Sequence, residues 1–398
     1  MDFRLNEEQA AFQQVVRGFA ERHLAKGAVE RAHTVGFPWE VAKLMASQGL
    51  FGIMLPEEDG GQGGTVFDAV LAMEQIACVC PRSADVLQAG NFGAFRTLAE
   101  YATPYQKERF FQPLLAGEAV AAVGMTEPDA GSALTDLTTH CVKDGEGWRL
   151  NGQKVFTTNS AEANVFVVYC RFGPPGENGG VGAIGSVLVE RGMEGFRLGQ
   201  PSLYMNDEEW CALYFDNVYI PPEMVLLGRG GFKKQIGGFN VERVGNTTRA
   251  LALGEYCFHA AREHAMTRRQ FGRPLMEFQG LQWKFAEMRV ALDGARLLLY
   301  RAAINAGRGL PDAQEVAIAK YACNQAGWLA ANESMQVMGG TGYSKDLLIE
   351  YCVRRTRGWM IAGGSLEMMK NRIAEGVFGV SFSQRPSPPD RAARERGT

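Results

Sequence analysis

The sequence predicts an α+β fold in three parts: an N-terminal helical domain over residues 1–120, a middle β-barrel or sandwich domain over 121–228, and a C-terminal helical bundle domain over 229–382, with a disordered tail over 383–398. Three observations carry this. A chain of 398 residues is too long for one ordinary core. Apolar residues recur at helical spacing on both sides of a central stretch, which instead holds short β-rich runs cut by Gly and Pro. The C-terminal segments are long and apolar along one face, as in packed helices.

In the first part Asn6 is a good N-cap with Glu7 and Glu8 in the first turn, and Phe12, Val15, Val16 and Phe19 follow at helical spacing. Further helices are predicted over Trp39–Leu50, Val66–Cys78, Asn91–Tyr101 and Pro104–Leu115, with a loop at Leu55–Gly61 and a break at Pro81. In the middle part Val165–Tyr169, Ile184–Val189 and Leu213–Ile220 read as strands, and Asp144-Gly145, Asn151-Gly152 and Gly173–Gly182 as turns. Helices return over Phe232–Arg268, Phe278–Gly307, Asp312–Met338, Ile349–Trp359 and Leu366–Gly379. The tail from Ser383 combines three prolines with alternating charge, which cannot pack a core.

Net charge is −3 with both signs interspersed, so neither a nucleic-acid partner nor a membrane-binding face is expected. No apolar run is long enough for a spanning helix, and the acidic start Met1–Glu8 reads as neither signal nor transit peptide. Eight scattered cysteines lack a C-x-x-C pair, and His259 and His264 fall on different helix faces. These features predict no metal and a reducing, cytoplasmic setting.

The stretch Phe239-Asn240-Val241-Glu242-Arg243 sits near the start of the longest helical segment, among Gly237, Gly238 and Gly245. Glycine inside a helix costs about 1 kcal/mol relative to alanine, so each one needs a ligand or a second backbone close by. A carboxylate among small and aromatic residues suits a desolvated base. On composition alone a solvated Glu-Arg step is the commoner situation.

Four motifs occur in order: Gly124-Met125-Thr126-Glu127-Pro128-Asp129-Ala130-Gly131-Ser132, Lys154-Val155-Phe156-Thr157-Thr158-Asn159, Arg268-Arg269-Gln270-Phe271-Gly272-Arg273-Pro274 continuing to Gln279, and Gln336-Val337-Met338-Gly339-Gly340-Thr341-Gly342-Tyr343. Together they resemble the acyl-CoA dehydrogenase family, over about Leu5 to Gly379. The resemblance implies a C-terminal four-helix bundle, FAD as cofactor, an acyl-CoA substrate, an electron-transfer flavoprotein as acceptor and a homotetramer. It implies that Met125 and Thr126 touch the flavin ring, that Ser132 lies between cofactor and CoA, and that Phe156 and Thr158 pack on and bond the isoalloxazine. Arg268 resembles the residue that reaches the FAD pyrophosphate. Phe271, Gln279, Gln336, Gly340, Ser365 and Glu367 resemble further FAD contacts, some across a subunit boundary, and Asn240, Arg243, Gly363 and Gly364 line the path of the acyl-CoA.

Departures from the pattern are as informative. Many members carry their base in a loop reading E-G-T after the fourth motif; here the loop reads Ala362-Gly363-Gly364-Ser365, with Gly363 at that place. Isovaleryl-type and crotonobetainyl-CoA-type relatives carry the base on the earlier helix before an Arg, which here is Glu242 before Arg243. Ala133 replaces a usual Asp, and Tyr351 and Arg355 replace a common basic residue and a common Asp, which puts local salt bridges in doubt. The implied reaction is α,β-dehydrogenation of a branched, cyclic or substituted acyl-CoA, Glu242 taking the α-proton and flavin N5 the β-hydride. The same frame admits an enoyl-CoA reductase, a desulfinase-like redox-neutral elimination, or a non-catalytic flavin-fold interaction protein. Arg82, after Pro81, is expected either to meet a carboxylate on the acyl group or, more simply, to be a solvated loop residue.

Overall fold

Among the residues described by the computed structural model, 4–177 and 180–382, seven helices precede the first strand. They are α1 (Glu7–His23), α2 (Ala28–His33), α3 (Trp39–Ser47), α4 (Val66–Ala77), α5 (Ser83–Asn91), α6 (Ala94–Tyr101) and α7 (Pro104–Leu115). Capping sets three of the starts: Asn6, Thr65 and Thr103 each accept from the backbone N–H three residues on, whose side chain bonds back to the cap. The middle part holds β1 (Ala121–Gly124), β2 (His140–Asp144), β3 (Gly147–Thr158), β4 (Val165–Phe172), β5 (Ile184–Glu190), β6 (Phe196–Leu198), β7 (Ser202–Leu203), β8 (Glu209–Ile220) and β9 (Val225–Leu227). After them come α8 (Phe232–Thr267), the small hairpin β10 (Arg269–Gln270) and β11 (Arg273–Pro274), α9 (Gln279–Ala306), α10 (Ala313–Met338), α11 (Gly340–Tyr343), α12 (Ile349–Trp359) and α13 (Leu366–Phe378).

The expected three-part order is present, with local corrections. The helix expected over Asn91–Tyr101 is α6, which begins only at Ala94, and α5 before it is a helix for which the sequence gives no prediction. Asn151-Gly152 is not a turn but a bulge inside β3, where the register against β8 shifts, Gly152 takes φ 138° and Asn151 Oδ1 accepts from Asn217 N–H at 2.8 Å. The tail over 383–398 lies outside the described residues.

β1–β9 form one continuous sheet along the path β6-β8-β3-β2-β4-β5-β9, with β1 added on β4 and β7 on β8. α8, α9 and α10 are the long members of the bundle, and α12 with α13 form its broken fourth side. One apolar core joins the N-terminal helices to the bundle, including Leu71 and Met73 of α4 and Leu251 and Leu253 of α8; a second lies under the sheet and takes in Phe95 and Phe111. α8 and α10 run in the same direction: Lys320 lies near the start of α8, and Gly327 abuts Gly254, where a Cβ on Gly254 would stand 2.7 Å from the Gly327 Cα. Among the described residues no helix is long and apolar enough to cross a membrane.

Candidate active site

The loop after β1 and the end of β3 are tied together. Val155 N–H donates to the Thr126 carbonyl at 2.9 Å, and the buried Glu127 pairs with the fully buried Lys154 at 2.7 Å. Glu127 also accepts from the backbone N–H of Thr138 and Thr139 and from the Thr138 hydroxyl. Burial alone would raise the Glu127 pKa, but Lys154 and these donors outweigh it and hold the carboxyl at about 2. The loop bearing Met125, Thr126 and Ser132 is thereby fixed against β3.

Beyond Lys154 the β3–β8 register slips and Phe156 takes φ 56°. A bulky residue at positive φ is strained and needs a cause. The result is a ring packed on Trp210 with centroids 4.7 Å apart, yet 56% exposed. Tyr204 Oη donates to the Phe156 carbonyl at 3.0 Å and Thr158 bonds the same hydroxyl. A rigid, exposed aromatic face beside hydroxyls suits a flat polar ring system.

Glu242 lies where α8 meets α5, α6, α10 and the loop after α12. Asn246 Nδ2 donates to Glu242 Oε1 at 3.2 Å, and a Cβ on Gly93 would stand 3.4 Å from Oε2. Burial pushes the Glu242 pKa up, against the pull of Arg249, Gln88, Asn246 and Lys320. A Cβ on Gly363, which has φ 71°, would stand 3.2 Å from Asn246 Nδ2 and 3.7 Å from Lys320 Nζ. Arg243 donates through Nε to the Gly363 carbonyl at 2.9 Å and through Nη1 to Asn240 Oδ1 at 2.6 Å. A Cβ on Gly364 would meet Met369 at 3.0 Å and Arg243 at 3.8 Å. The structure therefore gathers Glu242, Asn240, Arg243, Gly363 and Gly364 in one place.

The remaining expected contacts fall elsewhere. Arg268 caps α8 26 residues after Glu242, which at about 1.5 Å per residue is roughly 39 Å away. It is exposed, as are Gln279 at the start of α9 and Phe271 on the hairpin, the last 94% exposed with φ 49°. Gln336 and Gly340, also exposed, are at the same end of the bundle because α10 runs with α8. No single dinucleotide spans from this cluster to Glu242 within one copy. Ser365 caps α13 by accepting from Met368 N–H at 3.4 Å, and Glu367 is exposed in its first turn.

Arg82 requires correction on both counts. It is buried, donating to Asp85 at 3.0 Å and to the Gly36 carbonyl at 2.7 Å, so it is neither a solvated loop residue nor directed at an acyl group. Asp85 also receives Arg249 and Arg355, and Arg355 reaches Glu208 of the middle part, so the doubt over salt bridges around Arg355 resolves into a buried network. Lys320 was not anticipated: it is fully buried on α10 and donates to the Trp359 and Ala362 carbonyls at 3.0 and 2.9 Å. Burial, helped by Arg243, pushes its pKa down to about 7. Its signal in the sequence is a lysine in line with Val316, Cys323 and Gly327, the apolar stripe of α10.

Comparison with known proteins gives the chain a family and the fold its neighbours. Models of the acyl-CoA dehydrogenase N-terminal, middle and C-terminal domains match residues 6–118, 122–218 and 229–378. The chain is 34% identical to a short-chain-specific acyl-CoA dehydrogenase of Clostridium acetobutylicum, over 95% of this chain and all of the relative. It is 32% identical to a 3-sulfinopropanoyl-CoA desulfinase of Paraburkholderia xenovorans, over 97% of this chain and all of that one. The solved butyryl-CoA dehydrogenase of Megasphaera elsdenii superposes with a TM-score of 0.87 at 29% identity, covering 95% of this chain and 100% of the other.

Proposed function

Because the chain belongs to the acyl-CoA dehydrogenase family, FAD-dependent oxidoreductases acting on the CH–CH bond of acyl-CoA, we propose that Glu242 is the base that takes the α-proton of its substrate. The observation that carries this is the pairing of a desolvated carboxyl at Glu242 with an empty side-chain position at Gly363 beside it. The α-proton of a thioester is weakly acidic, and burial makes the Glu242 carboxylate a stronger base than a solvated one. Asn246 orients Oε1, while Oε2 lies toward Gly93, which has no side chain.

The residues present fit FAD: the strained, exposed Phe156 with Thr158 and the Met125-Thr126 loop offers a seat for the ring system, and exposed Arg268 offers a guanidinium for phosphate. Bound there, FAD supplies the acceptor for the β-hydride. Arg268, Phe271, Gln279, Gln336 and Gly340 lie too far from Glu242 to serve the same site, so in this reading they complete the site of a second copy. The exposed residues Trp283, Val290, Leu297 and Ile304, seven apart along α9, support assembly through the bundle. A homotetramer, an electron-transfer flavoprotein as acceptor and a cytoplasmic location complete the proposal; the eight free thiols suit a reducing compartment. A branched, cyclic or substituted acyl group is favoured by the two side-chain-free positions Gly363 and Gly364.

The similarity to the desulfinase favours a second reading, redox-neutral elimination. Flavin reduction by substrate in the wild-type protein separates the two, because a redox-neutral elimination leaves the flavin oxidised, and Glu242→Gln then tests the base. Flavin-loaded Glu242→Gln is expected to bind acyl-CoA but to reduce its flavin about 10² to 10⁴ times more slowly; reduction at the wild-type rate in a stopped-flow experiment refutes the assignment.

A further inference from the structure

We propose that Asp85, Arg249 and Asn246 form a positioning relay that holds Glu242 in its proton-accepting state and orientation. The inference rests on the reading of Glu242 as the base. The Arg249 guanidinium donates to both Asp85 Oδ1 and Asn246 Oδ1. Guanidinium only donates, so Asn246 is turned with its carbonyl to Arg249 and its NH₂ to Glu242, where Nδ2 meets Oε1 at 3.2 Å. An N–H directed at a carboxyl oxygen favours the ionised form over the acid. It also fixes which oxygen is held, Oε1, and which lies toward Gly93, Oε2.

The far end of the relay is anchored from three elements. Asp85 on α5 takes Arg82 from the turn before its own helix, Arg249 from α8 and Arg355 from α12. The Arg249 and Arg355 guanidiniums lie over the Trp359 ring, 4.7 and 4.8 Å from its centroid. Burial would raise the Asp85 pKa, but Arg355, Arg249 and Arg82 outweigh it and hold the carboxyl at about 2, so this end stays ionised throughout the working range. The charged and titratable groups facing Glu242 are Arg243 and Arg249 on its own helix, Lys320 from α10 and Tyr169 from β4; α5 and the α5–α6 corner contribute only Gln88 and Gly93. Asn246 is the one of these neighbours that both bonds the carboxyl group and is itself oriented by a buried charge.

The test uses the flavin-loaded enzyme with Asn246→Leu, which removes donor and acceptor at similar volume, and Asn246→Asp, which keeps the shape and adds a like charge. Two quantities are followed against pH: the stopped-flow rate of flavin reduction by acyl-CoA, and the infrared carboxyl signal of Glu242, identified by its loss in Glu242→Gln. The acid limb of the rate profile is expected to move up by at least one pH unit in Asn246→Leu and further in Asn246→Asp. The rate below the limb then falls tenfold or more and largely recovers at high pH, and the infrared titration moves with it. Arg249→Lys, which cannot hold Asp85 and Asn246 together, moves the limb the same way by less. An acid limb and infrared titration that stay in place overturn the relay; if Asn246→Leu fails to fold, the isosteric Asn246→Asp decides. Wild-type turnover in Glu242→Gln overturns the base assignment instead, so the two failures are distinct.

Discussion

Replacing Asp85 with asparagine leaves the guanidiniums of Arg82, Arg249 and Arg355 around a neutral amide, with Glu208 on Arg355 as the remaining carboxylate. The magnitude follows from the carboxyl itself. Its pKa drops from 3.8 to about 2 in the folded protein; at about 1.4 kcal/mol per unit the cluster prefers carboxylate to acid by about 2.5 kcal/mol. The amide loses that preference and leaves buried arginines short of a counter-ion, so the whole cost falls at about 3–5 kcal/mol, as for breaking a buried ion pair. Urea unfolding of the flavin-loaded protein, followed by far-UV circular dichroism at fixed FAD concentration, reads it out. With a slope of roughly 3 kcal/mol per molar urea the midpoint should fall by about 1–1.7 M. The folded pKa lies below the unfolded one, so the stability Asp85 confers is fully present above about pH 4 and is lost as pH falls to about 2. The gap between wild type and Asp85→Asn should therefore close across that window. A midpoint shift below about 0.3 M at neutral pH, or a gap that widens on acidification, refutes the argument.

Lys154→Met strips the partner from buried Glu127 and should destabilise the protein by about 3–5 kcal/mol while loosening the Met125-Thr126 loop; urea melts and FAD titration by fluorescence quenching should both move. Phe156→Ala removes an exposed ring, so urea stability should change by less than about 1 kcal/mol while FAD affinity falls at least tenfold, measured by flavin titration of the apoprotein. Lys320 has a folded pKa of about 7 against an ordinary 10.5, so between those values the unfolded chain binds a proton that the native state does not. Wild-type stability should rise with pH there, by up to about 1.4 kcal/mol per unit, and Lys320→Met should flatten that rise in melts at graded pH.

The sequence was legible wherever the local code and the tertiary environment agree. α1 has its Asn6 cap and an apolar face, and α12 spans the predicted Ile349–Trp359. α5 went unseen for a physical reason: Ser83, Asp85, Gln88 and Asn91 are buried, so a helix of this composition shows no polar-out pattern for periodicity to detect. Those inward polar residues build the Asp85 network and the floor under Glu242, so the failure marks the functional neighbourhood. Lys320 escaped notice because its acceptors, Trp359 and Ala362, are 39 and 42 residues away and meet it only in the folded bundle. The helix predicted over Phe232–Arg268 is present as the 36-residue α8, so the separation of Arg268 from Glu242 was legible in the sequence from helix length alone.

Of the two reasons offered for glycines in this helix, a ligand or a neighbouring chain close by, the packing of α8 supplies the second. A Cβ on Gly245 would stand 2.0 Å from Gln88 Oε1, one on Gly238 3.2 Å from the Tyr101 ring, and one on Gly254 2.7 Å from the Gly327 Cα. They let α5, α6 and α10 close on α8 rather than making room for a ligand directly. That closeness is what desolvates Glu242, since Gln88, Gly93 and Lys320 reach it from those elements. A carboxylate on the loop at Gly363 would need a side chain at φ 71°, whereas on α8 the backbone is regular and Asn246 follows one turn later to hold it. On the reading of Glu242 as the base, its place on the helix couples its protonation to the helix packing: a substitution that pushes α5 away from α8 should rehydrate Glu242 and lower its pKa even where no active-site residue is changed.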